Sequence, residues 1–250
     1  MIEQLTSPFV TFVLPAYNES EIIENTLVSL NTNFENTGLH YEIVIVDDGS
    51  VDDTRSKVMV FGQTNGNVKV ISYSKNVGKG FAIKTGFRKA KGTAIIFLDS
   101  DSDINTRQVK RFIDSLKTAD IVIGSKRHPK SIVKVPVFRR LFSSSFNVLV
   151  QLLTGIRVKD TQTGIKAIKR EAFLEIFNQL SVKRYAYDVE LLVLAKLYGL
   201  KISEVPVNLC INQNFNLRDS WHMLIDLLGI TYRLRIKKWY QRGLPQHTSF

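Results

Sequence analysis

Residues 93–103 read TAIIFLDSDSD. An apolar run, Ala94 to Leu98, stops abruptly at three acids in alternate positions, Asp99, Asp101 and Asp103. A short run of this kind, bounded by polar residues, fits a strand buried on both faces. Carboxylates this close repel one another, so the fold must bring something positive to meet them. The whole chain carries a formal net charge of +11, which makes the acids a local exception in a basic protein.

Working outward, the same kind of run recurs. FVTFVLP (9–15), YEIVIVDDGS (41–50), NVKVISYS (67–74) and ADIVIGS (119–125) read as further strands. Between them lie helical patterns: ESEIIENTLVSLNTNF with Ile22, Ile23, Leu27 and Leu30, VDDTRSKVMVFGQ, GKGFAIKTGFRKAKG with Ala82, Phe87 and Ala90, and TRQVKRFIDSLKT. Val/Ile-rich strands alternating with helices predict an α/β protein with a mostly parallel sheet covered on both faces. After Arg127 the pattern changes. Residues 134–154 are amphipathic, 160–177 read as loop, short strand and helix, and YAYDVELLVLAKLYG as a helix closed by Gly199. LKISEVPVNL reads as a strand, and DSWHMLIDLLGITYRLRIKKWYQR as one long helix capped at Asp219 or Ser220. No linker interrupts the chain, which predicts one domain over 1–250, with a donor half (1–127) and an acceptor half (128–250).

Composition narrows the function. The 250 residues suffice for a sizeable core. The single cysteine, Cys210, excludes a disulfide framework and a cysteine zinc site. His40, His128, His222 and His247 are scattered and read as structural or surface residues. MIEQLTSPFVTFVLP lacks a basic leader, and no apolar run approaches the roughly 18 residues of a membrane span. The expected location is therefore the cytoplasmic side of a membrane, held peripherally. The positive charge is blocked: KRHPKSIVKVPVFRR has six bases and YRLRIKKWYQR five, neither with an acid. Such blocks suit a polyanion or an anionic membrane. No nucleic-acid-binding motif accompanies them, and acids at the strand ends would repel a phosphate backbone, so nucleic acid is not an expected partner.

Ligands of open parallel sheets bind beyond the carboxyl ends of the strands. Here those ends carry PAYNE, DDGS, DSDSD and GSKR. Acids at three of the ends suggest a divalent cation, since Mg²⁺ takes carboxylates together with substrate phosphates. NVGKG lacks the spacing of a phosphate loop, and its glycines read more simply as room for the next helix to start close to the sheet.

The stretches FVLPAYNESEIIENTL, IVIVDDGSVDDT, SKNVGKGFAIKTGF and IIFLDSDSD resemble the donor half of family 2 glycosyltransferases with the GT-A fold, a Rossmann-like sheet flanked by helices. DTQTGIKAIKREAF, YAYDVELLVLA, ISEVPV and DSWHMLIDLL resemble the polyprenyl-phosphate hexose synthase branch, with DTQTGIK and YAYDVELL nearer its dolichyl-phosphate glucose members. The resemblance implies that Pro15, Tyr17, Glu19, Val46, Asp48, Lys79 and Ser100 contact the nucleotide sugar, with Asp48 on base or ribose. Asp99 would contact ribose or sugar. Asp101 would be the principal ligand of Mg²⁺ or Mn²⁺ and Asp103 a second one, although some relatives carry Gln there. Lys126 or Arg127, and Arg139 or Arg140, would bind donor or acceptor phosphate, which places Asp99, Asp101, Arg127 and Arg139 in the catalytic set.

The implied acceptor is a dolichyl or polyprenyl phosphate. A phosphate with a second pKa of about 6 is already anionic near neutral pH, so it needs orientation by cations and no general base. Asp188 would serve as base for a hydroxyl acceptor; otherwise it reads as a helix cap. Val135, Phe138, Leu141, Phe142 and Phe146 in one segment, and Trp221, Met223, Leu224, Leu227, Leu228, Ile230 and Trp239 in the other, form apolar stripes beside bases. They fit helices lying in a membrane interface or packed on the core. A membrane-anchored partner subunit is compatible with either.

Overall fold

The computed structural model describes residues 9–35, 37–100, 106–210 and 217–244. The first half runs β1 (Val10–Ala16), α1 (Ile23–Glu35), β2 (Tyr41–Asp47), α2 (Thr54–Thr64), β3 (Val68–Ser72), α3 (Lys79–Lys89), β4 (Ala94–Leu98), α4 (Thr106–Ser115) and β5 (Ile121–Ser125). The second runs β6 (Ile132–Lys134), α5 (Val137–Thr154), β7 (Ile165–Lys169), α6 (Arg170–Phe177), α7 (Tyr187–Leu197), β8 (Ile202–Pro206), β9 (Asn208–Cys210) and α8 (Leu217–Thr231). Seven strands form one sheet in the order β3-β2-β1-β4-β7-β5-β8, and β6 pairs with β9 in a small second sheet.

Side-chain alternation explains why the strands are apolar throughout. Val13, Val44, Val46, Ile95, Phe97, Ile121 and Ile123 face a core shared with α3 and α5–α8. Phe12, Leu14, Ile43, Ile45, Ile96, Leu98 and Val122 face the other core, under α1 and α4. Both layers are buried, so neither face of a central strand tolerates a polar residue without a partner.

Three features depart from the sequence reading. β7 comes from the second half, yet inserts between β4 and β5 and runs antiparallel to both. Its first residues therefore lie beside the carboxyl ends of its neighbours, and the DTQTG loop before it reaches the ligand side of the sheet. LKISEVPVNL is two strands in two sheets. Pro206 is tolerated at the end of β8 because that strand lies on the sheet edge. The expected long terminal helix begins at Leu217, ahead of Asp219 and Ser220, so neither residue is its cap. It loosens into a wide π turn at Tyr232–Ile236 and ends in a 3₁₀ turn at Tyr240–Gly243.

At the opposite end of the sheet from the acids, Glu42 is 6% exposed and ties three strands together. It accepts from Thr11 Oγ1 at 2.8 Å, from Lys69 Nζ and from the Lys91 amide. Burial pushes its carboxyl up, but these donors together hold it below the ordinary value of 4.5. A depressed folded pKa stabilises above the unfolded value, and that contribution is lost as pH falls through the folded one. The melting temperature is thus expected to drop as pH is taken below 4.5, and to drop less steeply in Glu42→Gln. Thermal scans of both proteins across that range check this.

Candidate active site

The carboxyl ends of β1, β2, β4 and β5 open on one crevice, joined by the start of β7. Two loops form its rim. The amides of Asn18, Glu19 and Ser20 donate to Ser50 Oγ, Thr54 Oγ1 and Asp52 Oδ2 at 3.0, 2.8 and 3.1 Å. The Val51 amide returns a bond to Asn18 Oδ1 at 3.0 Å. The segment after β1 is thereby pinned to the DDGS turn after β2. Tyr17 stands exposed on this rim, while Pro15 and Glu19 are partly covered.

Asp48 sits beneath the rim, 3% exposed. Its carboxylate, expected on the base or ribose, accepts from the Val77 and Gly78 amides at 2.9 and 2.8 Å and from Asn76 Nδ2 at 3.1 Å. Burial raises its pKa, with the two amides working against that rise. Asp48 is thus the organiser of the NVGKG turn. Gly78 has φ +119°, and a Cβ there would meet Lys183 O at 2.4 Å, so glycine is required. That turn delivers Lys79 as the first residue of α3.

Lys79 is the positive charge that the opening stretch demanded. Its Nζ lies 2.5 Å from Asp99 Oδ1. The Asp99 amide donates to Gly164 O at 3.0 Å, which joins the end of β4 to the start of β7. Ser100 is buried, and its carbonyl accepts from Thr26 Oγ1 of α1 at 2.6 Å. Val46, also expected at the donor, is 0% exposed, with its side chain in the core against Gly86 of α3. Its side chain supports the strand and does not line the crevice. Asp101 and Asp103 lie outside the described residues, as does the side chain of Arg139.

On the β5 side the cations are paired as well. Lys126 Nζ is 3.4 Å from Asp160 Oδ2 and donates to Gln162 O at 2.9 Å. Arg127 Nη2 donates to Ser143 O in α5 at 3.1 Å, so it also fixes that helix against the crevice. Asp160 is 4% exposed and further accepts from the Lys126 and Gln162 amides and from Thr163 Oγ1. Burial pushes its pKa up, but the Lys126 charge and these donors together bring it below the usual value. Below the crevice, Lys166 Nζ lies 2.9 Å from Asp188 Oδ1, a contact ion pair without hydrogen-bond alignment at that oxygen, with both side chains almost fully buried. Asp188 therefore does not cap α7, whose cap position is Ala186. The neighbouring Tyr187 is deeply buried; burial, then the charges of Asp188 and Asp99, raise its phenol pKa well above normal.

Asp160 and Lys166 escaped the sequence reading. Asp160 left one signal, an Asx-type turn in which its Oδ1 accepts the Gln162 amide. Lys166 left another, a charge inside the otherwise strand-like IKAIK, which requires a buried acid as partner. Among the described residues no group of three or more His, Cys, Asp or Glu side chains is arranged to hold a metal.

This crevice, with its paired carboxylates and lysines at the carboxyl edge of a mostly parallel sheet, belongs to a known class. The family model for glycosyl transferase family 2 matches residues 11–177, and the chain belongs to that family. It is a glycosyltransferase, related over most of its length to dolichyl-phosphate beta-glucosyltransferases. The Homo sapiens enzyme is 32% identical over 246 residues, covering 91% of this chain and 76% of the human protein. The Dictyostelium discoideum enzyme is 30% identical, covering 92% and 76%. Glucosyl-3-phosphoglycerate synthase from Mycobacterium tuberculosis, solved with Mn²⁺, UDP-glucose and phosphoglyceric acid, superposes with a TM-score of 0.69. It shares 20% identity over 96% of this chain and 81% of its own, which establishes the common GT-A fold.

Proposed function

We propose that the protein transfers glucose from UDP-glucose to a dolichyl or polyprenyl phosphate at a membrane surface, with inversion at the anomeric carbon. An acceptor phosphate oxygen forms the new bond to that carbon in line with the departing nucleoside diphosphate, which leaves with the electron pair of the broken bond. The acceptor is anionic beforehand, so the site must orient it and balance its charge. Lys126, Arg127, Arg139 and Arg140 supply that charge on the β5–α5 side. Asp188, the alternative base for a hydroxyl acceptor, is committed to Lys166 and 5% exposed.

The observation that carries the lipid acceptor is an apolar strip on the surface. Leu141, Val148 and Leu152 are exposed on α5, and Trp221, Ile225, Leu228, Tyr232 and Ile236 along α8 and the turn after it. Arg235 joins the two lines by donating to Leu153 O at 2.6 Å and Leu152 O at 3.3 Å, carbonyls in the last turn of α5. Each helix buries part of its stripe and leaves part exposed. Phe146, Leu227 and Ile230 are buried in the core, while Leu141, Leu228 and Trp221 face outward. No described helix is long and apolar enough to cross a bilayer, and an apolar strip bordered by Arg and Lys suits the plane of the interface. Exchanging Leu152 and Ile236 for Asp is expected to reduce co-flotation with anionic vesicles at least about tenfold. Unchanged flotation would mean that this face does not meet lipid.

A divalent cation fits the donor set. Carboxylate oxygens are the ligands that Mg²⁺ and Mn²⁺ prefer, and glycine at 164 keeps clear the space that the Asp99 carboxylate occupies at the end of β4, since a Cβ there would come within 2.5 Å of its Oδ2. With Asp99 paired to Lys79, Asp101 and Asp103 are the residues that would hold the ion. When bound, it would offset the charge building on the leaving diphosphate.

The reading is tested by supplying purified protein with Mg²⁺ or Mn²⁺, radiolabelled UDP- and GDP-sugars and a short polyprenyl phosphate. Label is expected in the organic phase with UDP-glucose, and to vanish with EDTA or in Asp101→Ala. Label from GDP-mannose alone would reassign the sugar. Label that stays aqueous with every donor that binds would point to a non-lipid acceptor.

A further inference from the structure

We infer that Glu190 is a positioning residue that ties the membrane-facing terminal segment to Lys79 in the donor crevice; the functional part of this rests on the reading above. Glu190 lies in α7, 0% exposed. Its Oε2 accepts the Ser181 and Val182 amides at 2.8 and 2.7 Å. Its Oε1 accepts Ser181 Oγ and Tyr240 Oη, each at 2.6 Å, and lies 3.5 Å from Arg233 Nη2. A buried carboxylate with so many donors is not a surface charge that happens to find a partner. It is the junction of two segments far apart in sequence.

One of these segments is the strip 180–184, which grips the start of α3. Leu180 O accepts from Lys84 Nζ at 2.6 Å, and Lys183 O accepts the Phe81 amide at 3.1 Å. A Cβ at Gly80 would meet Val182 O at 2.6 Å, as one at Gly78 would meet Lys183 O. The two glycines of NVGKG thus serve a close approach to this strip. Lys79 stands between them and reaches Asp99. The other segment is the end of the chain's apolar strip. Arg233 follows exposed Tyr232, and its Nε donates to Tyr240 Oη at 2.8 Å. A cleft of about 370 Å³ lies between the 181–184 strip and Ile225, Asp226 and Gly229 of α8. Over that stretch the two segments are held apart, and the Arg233–Tyr240–Glu190 cluster bridges them.

Tyr240→Phe tests this, because it keeps the ring and removes one bond to Glu190. The expected result is a rise in Kd for UDP-glucose of about fivefold, with vesicle flotation unchanged. The rise should disappear in a Lys79→Met background, where the coupled group is gone. An equal rise in both backgrounds, or none in the native one, would overturn the inference. Amide hydrogen exchange provides a readout without substrate. Tyr240→Phe should speed exchange in peptides covering both 181–184 and 78–84. A change confined to the terminal segment would also overturn it, and this holds even if UDP-glucose proves not to be the donor. Failure of every donor to bind the native protein would count against the proposed function and leave the exchange result to decide Glu190.

Discussion

Asp99→Asn is expected to lower kcat/KM for sugar transfer at least about 100-fold, or about 2.7 kcal/mol of transition-state stabilisation. The substitution keeps the shape of the side chain against Gly164 and leaves the backbone bond to Gly164 O intact. What it removes is the charge paired with Lys79. Lys79 is placed by an internal chain of contacts, from Asp48 through the Gly78 amide to the first turn of α3. Without the carboxylate, that ammonium loses the partner that fixes its position in the crevice. Asp99 is partly accessible at the crevice, so the fold should be indifferent and the melting temperature should stay within about 3 °C. Steady-state transfer kinetics and a thermal melt check both halves of the expectation. Activity within threefold of the native enzyme would show that the pair is not part of the chemistry.

Lys166→Met is expected to act on stability instead, by about 3–5 kcal/mol. It strands the Asp188 carboxylate in the core, where the deeply buried Tyr187 adjoins it. It also takes away the donor that Thr163 O receives from Lys166 Nζ at 2.6 Å. A buried pair costs much in desolvation, so its replacement by apolar residues of similar volume is far milder than its rupture. Lys166→Met with Asp188→Leu should therefore recover most of the loss. Urea unfolding with an unchanged m-value measures it. A single-variant cost below about 1 kcal/mol would mean that water reaches the pair.

The two experiments separate what the crevice does from what holds it up, and the same division runs through the legibility of this chain. Most of the strands and helices, and the acidic strand ends, could be read directly. Buried strands such as IVIV and AIIFL and the helix of Leu27 and Leu30 declare themselves through local periodicity, and no distant residue is needed to recognise it. The motifs at the strand ends pointed to the family for the same reason: their spacing is local.

Pairings across the chain were not legible. The Lys79–Asp99 contact joins two neighbouring crossover units. The Lys166–Asp188 pair depends on β7 entering the sheet antiparallel, a choice that no residue in IKAIK records. The family resemblance implied that Asp48 and Val46 meet the donor. In the folded protein Asp48 turns inward to three donors of the 76–78 turn, and Val46 falls on the buried side of its strand. Glu190 carries no local mark of its role in YAYDVELL, because its partners lie 8 to 50 residues away. Periodicity is a property of neighbours along the chain, so it survives in a bare sequence. The partner of a buried charge is settled by the closure of the sheet and the packing of helices on both its faces, where an unpaired ion costs several kcal/mol and is therefore always matched by a group the fold brings from elsewhere.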